Sequence, residues 1–104
     1  MKIKDDFKIW MRNRNNCPNL GVDTPDVYIL YLNGLFDMLY EMDFLPFHAW
    51  ETLERVDIKD KEMCKLITDA VSLAIKNAEN SSSISATALR NFKTAFKKLA
   101  KYLS

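Results

Sequence analysis

Apolar residues return with helical spacing in five stretches of this chain, separated by short polar or proline-marked breaks. In residues 1–16, Ile3, Phe7, Trp10 and Met11 recur at intervals of four, three and one, the pattern of a short amphipathic helix. Asp5 and Asp6 suit its first turn, and Arg12 and Arg14 its last. Residues 15–21 then collect Asn, Pro and Gly, the residues that turn a chain. The sharpest start signal is Thr24-Pro25-Asp26, with Thr24 as N-cap, Pro25 at the first helical position and an acid in the first turn. The run that follows, V-Y-I-L-Y-L-N-G-L-F-D-M-L-Y-E-M, is apolar nearly all round and leaves a narrow polar strip of Asp26, Asn33, Asp37 and Glu41. A helix of that kind over residues 24–42 belongs at the centre of a bundle. Gly34 inside it costs about 1 kcal/mol against Ala, so a neighbouring helix is expected to cross closely there.

Pro46 marks a firm break, after which residues 47–56 resume a short helix with Phe47, Trp50 and Leu53 on one side. Asp57-Ile58-Lys59-Asp60 reads as a turn with an acidic cap. Residues 60–79 form a long helix whose wide apolar arc makes it, too, a candidate for a central position. Ser81, Ser82 and Ser83 are a short low-complexity loop before the last helix, residues 85–103. Two glycines and three prolines are few for the many turns of an all-β protein. The expected fold is an all-α bundle of about five helices, one domain over residues 1–104, without internal repeats. A membrane span is not expected, because Asn33, Asp37 and Glu41 interrupt the apolar run before the roughly 20 residues a bilayer needs.

On the last helix, Arg90, Lys93, Lys97 and Lys101 fall within an arc of roughly 80° at helical spacing. Leu89, Phe92, Ala95, Phe96, Leu99 and Leu103 fill the opposite side, so one face serves a core and the other is a basic stripe. The formal net charge of +1 conceals a sharp asymmetry. Residues 1–22 hold five bases and two acids, residues 23–69 four bases and eleven acids, and residues 70–104 six bases and one acid. Such a distribution can steer a charged partner even when the total is near zero. An ordinary solvated helix mixes both signs, whereas residues 80–104 contain no acid at all. The stripe, with Lys98 and Lys76 adjacent, can therefore neutralise several phosphates in a row, and Ser83, Ser85, Thr87 or Asn91 can donate hydrogen bonds near the helix start. The acidic middle section is the alternative, intramolecular partner for the same lysines.

Other chemistry is thinly represented. His48 is the only histidine, which excludes a histidine-rich zinc site, and no nucleophile motif accompanies it; a half-buried ring beside Trp50 is expected. Asp57, Asp60 and Glu62 lack the glycine and ligand spacing of a calcium loop. Pro25-Asp26 followed by Asp57-Ile58-Lys59 superficially matches the acidic set of metal-dependent nucleases, but that set resides on strands and Pro25-Asp26 opens a helix. Gly21 and Gly34 are isolated, so no phosphate loop exists. Cys17 and Cys64 lie in unlike contexts and read as free thiols of a cytoplasmic protein, with a single disulfide as the lesser alternative. No cofactor and no enzymatic activity are expected.

F-K-I-W-M near the start, Thr24-Pro25 opening a helix with Tyr28 and Leu32, and the closing S-A-T-A-L-R-N-F-K-T-A-F-K-K-L-A-K-Y-L together resemble the helical core-binding (SAM-like) N-terminal domain of tyrosine recombinases and phage integrases. That resemblance implies a domain that clamps duplex DNA through backbone contacts, with Thr24, Arg90 and Lys93 near phosphate. The acidic middle departs from the family pattern, and no catalytic domain with its Arg, His and Tyr set follows. The implied protein is a stand-alone or trimmed binding module without strand-cleaving activity. Its expected partner is nucleic acid. A partner protein, met by a phage- or plasmid-type inhibitor or adaptor through its acidic and basic faces, is the alternative.

Overall fold

The computed structural model describes residues 2–81 and 84–104, so Ser82 and Ser83 of the serine loop lie outside the described residues. Among the described residues there are five helices and no strand: α1 (Lys2–Arg12), α2 (Thr24–Glu41), α3 (Ala49–Arg55), α4 (Lys61–Asn80) and α5 (Ala86–Leu103). The broad apolar surface of α2 sets the arrangement. Leu32, Leu35, Phe36 and Leu39 are wholly buried on it, and α1, α4 and α5 all pack against it. Phe36 meets the rings of Trp50 on α3 and Phe96 on α5 edge-on, at centroid distances of 5.1 and 6.5 Å. Edge-to-face contact puts the positive ring edge on a negative face, which adds orientation to simple burial. The Trp50 indole N–H is satisfied by the Asn33 side-chain oxygen at 2.8 Å, which explains why the polar strip of α2 carries an asparagine there.

The amphipathic pattern of α1 buries Ile3, Phe7 and Met11, and Phe7 and Trp10 close on Tyr102 at the end of α5. The free N–H groups of Lys2 and Ile3 donate to the Glu54 carboxylate of α3 at 3.0 and 3.3 Å, so the start of α1 is capped from another helix. Lys4 lies 5.3 Å over the Trp50 ring and ties the same two helices.

Several boundaries differ from the sequence signals. Asp23, not Thr24, occupies the cap position of α2: its carbonyl accepts from Val27 N–H at 3.2 Å, and Thr24 opens the helix. Helix α3 starts at Ala49 rather than at residue 47, because His48 holds an extended backbone as its cap. The expected central placement of α4 is corrected. It buries Cys64, Ile67, Val71, Ala74, Ile75 and Ala78, but Leu66 and Leu73 on its other apolar edge are 63% and 61% exposed. Its arc is wider than the core it meets. At Gly34 the neighbouring element is the Phe92 ring of α5, and an added Cβ would lie 3.4 Å from it, an ordinary contact. The crossing therefore does not demand glycine.

Helix α2 ends before Pro46. Phe44 N–H donates to the Leu39 carbonyl at 2.9 Å and Asp43 N–H to Tyr40 at 3.3 Å, the paired bonds of a Schellman cap. Asp43 takes the left-handed position with φ of 60°. Glycine occupies that position without the Cβ clash an L-residue carries. Asp43→Gly is expected to stabilise the fold by about 0.5–1 kcal/mol, measured as a rise in the urea midpoint with an unchanged slope.

Candidate nucleic-acid interface

Helix α5 is held by Ala95, Phe96, Leu99 and Leu103, buried against α2, α1 and α4. Ser85 caps it, its hydroxyl accepting from Ala88 N–H at 3.1 Å, and its first turn holds no acid. That one-sided burial leaves Arg90, Lys93, Lys97 and Lys101 exposed on a single outward face, as their spacing requires. Lys98 is half-buried at one edge. Asn91 is half-buried beyond the stripe rather than on it. Thr24 does not join this face in the lining of the adjacent groove; it is half-buried beside Gly21 in the α1–α2 loop.

Two acids of the α2 strip, Asp26 and Asp37, are engaged elsewhere. Asp26 takes Lys8 and Arg12 of α1, both at 3.5 Å, and Asp37 accepts a 2.6 Å hydrogen bond from His48 Nε2. Of the stripe, among the described residues, only Lys93 is paired, to Glu79 of α4 at 2.6 Å. Glu79 is the one acid of residues 70–104, so this pair is invisible to a count of helical neighbours. Among the described residues, Arg90, Lys97 and Lys101 have no carboxylate partner. Lys93 and Lys97 also border a groove of about 310 Å³ between α4 and α5, floored by Ile75, Phe96 and Ala100 and rimmed by Lys76 and Glu79.

The remaining candidates resolve into structure. The His48 ring is largely buried, with Tyr40 edge-on at 6.0 Å and its Nδ1 without a partner among the described residues. Protonation at Nε2 suits both nitrogens, since the proton faces the Asp37 carboxylate and only a bare lone pair points inward. Asp57 accepts from Lys59 N–H and Asp60 from Met63 N–H, so these acids form the α3–α4 turn and the cap of α4. Among the described residues, no cluster of three or more metal-ligating side chains converges, and no helix is long and apolar enough to cross a membrane. Burial raises the hydroxyl pKa of Tyr28 and Tyr102, which keeps both neutral.

The chain matches no protein-family model, no curated protein and no solved structure.

Cys17 and Cys64 are both free and buried, at 3% and 1% exposure. Burial pushes the Cys64 thiol up, with the nearby Lys61 ammonium opposing. The reactive thiolate is therefore scarce as well as shielded. Both thiols are expected to resist a thiol-specific reagent in the native protein at pH 7 and to react fully in denaturant, followed by absorbance of the released chromophore.

Proposed function

We propose that this chain is a non-enzymatic module that binds duplex nucleic acid through its phosphate backbone, using the outward face of α5. The observation that carries the proposal is that Arg90, Lys97 and Lys101 are exposed on one face with no carboxylate partner among the described residues, while Asp26 and Asp37 engage α1 and His48 instead. From Arg90 to Lys101 the face runs about 16 Å at 1.5 Å per residue, and a duplex presents a phosphate about every 3.4 Å per strand. Three contacts along one strand fit that length. Phosphate contacts of this kind fix position without reading sequence. Lys93 is a reserve cation, held by Glu79. The likeness to the recombinase core-binding domain points the same way, through Arg90 and Lys93 of its closing helix. Thr24 and Asn91 are peripheral to such a surface, Thr24 because it opens α2 and Asn91 because it lies beyond the stripe.

Affinity for a fluorescent duplex, measured by anisotropy across a salt series, tests this. Each neutralised phosphate contributes roughly 0.9 to the slope of log affinity against log salt. Arg90→Ala, Lys97→Ala and Lys101→Ala are each expected to flatten the slope by about one unit. Glu79→Gln is expected to tighten binding and steepen the slope, because it frees Lys93 and removes a negative charge. Absence of binding at low salt contradicts the proposal. Co-purification of a partner protein that survives nuclease treatment favours the protein-interaction alternative.

A further inference from the structure

We propose that the outer face of α4 pairs two copies of this chain, antiparallel across a two-fold axis. Met63, Leu66, Ala70 and Leu73 follow one another at spacings of three, four and three, the seam of a two-helix coil. Three of them stand on the side of α4 that the core leaves uncovered, Met63 41% exposed, Leu66 63% and Leu73 61%, while Ala70 is half-buried against the core. Along one edge of this seam stand Glu62, Asp69 and Lys76, exposed and seven residues apart. The other edge is formed by Ile67 and Ala74, which are buried.

That asymmetry selects the occupant and its direction. In a parallel pair the charged edge of one helix faces the apolar edge of the next, and Glu62 and Lys76 go unpaired. In an antiparallel pair like edges meet. Aligning Met63 with Leu73 of a second copy automatically aligns Leu66 with its Ala70, since both pairs share one centre. The same register sets Glu62 opposite Lys76 of the second copy, twice per dimer. The two Asp69 side chains then lie near the axis, where each is already neutralised by its own Lys65 at 3.1 Å. The seam is therefore complementary to itself, which is what a two-fold interface requires. Of the residues that line the α5 groove, Ile75 and Glu79 lie about half a turn round α4 from the seam, and Lys76 alone stands at the seam's charged edge. Pairing through α4 leaves Arg90, Lys97 and Lys101 open, so the proposal does not depend on nucleic-acid binding. One four-residue seam is short of the roughly 1,200 Å² of a standard interface, so the dimer is weak and concentration-dependent.

Sedimentation equilibrium of the full chain from about 10 µM to about 1 mM covers the range expected for so small an interface. The wild type is expected to self-associate to a dimer. Leu66→Asp, at an exposed position, is expected to keep the helical circular dichroism and to weaken the dimer at least about tenfold. Glu62→Lys and Lys76→Glu are each expected to weaken it about threefold to tenfold, and the two together to restore it. A wild-type chain that stays monomeric throughout overturns the proposal, and so does a dimer indifferent to Leu66→Asp. A double charge exchange that fails to restore association overturns the antiparallel register.

Discussion

The structure depends on one constraint: α2 is apolar on nearly every side and must be covered on nearly every side. Leu32, Leu35, Phe36 and Leu39 are wholly buried, and Phe36 alone joins α3 through Trp50 and α5 through Phe96. Burying each such side chain is worth about 1.5–3 kcal/mol, far more than any exposed ion pair on this surface. Helix placement is therefore decided by α2, and the charges settle into what the packing leaves. The Asn33–Trp50 bond satisfies an indole N–H that this packing brings inward, and Glu54 caps the start of α1 at the surface.

That order of priorities explains the charge distribution. Covering α2 turns the apolar side of α5 inward and its lysines outward, whatever acids the chain carries. Asp26 and Asp37 of α2 are then reached by α1 and by His48 and, among the described residues, not by α5. Among the described residues, only Glu79, on the neighbouring α4, reaches the stripe. The chain divides into a helix pair stitched by charges at one end and a basic face released at the other.

Much of this was legible from residue spacing. The five helices, the central role of α2 and the two-sided character of α5 follow from periodicity, because a 3.6-residue repeat fixes which side chains share a face. The two faces of α4 were not legible. Its apolar arc is wide enough for a central helix, and nothing local shows that Cys64, Ile67, Val71, Ala74, Ile75 and Ala78 meet a core while Leu66 and Leu73 do not. The seven-residue repeat of Glu62, Asp69 and Lys76 beside them was the available signal. The stop of α2 near residue 42 was marked by Pro46, but its Schellman cap was hidden because Asp43 fills a position normally marked by glycine. Lys93–Glu79 and Glu54 with the start of α1 were hidden for a different reason: partners on separate helices have no characteristic spacing.

The central claim is that the outward face of α5 is a phosphate-binding surface. Its most direct test is an amide-resolved NMR titration of the labelled chain with a short duplex at low salt. The expected result is a set of shifts confined to α5 and centred on Arg90, Thr94, Lys97 and Lys101, reversed by added salt. Shifts centred on the α1–α3 side, or none at saturating duplex, would contradict it.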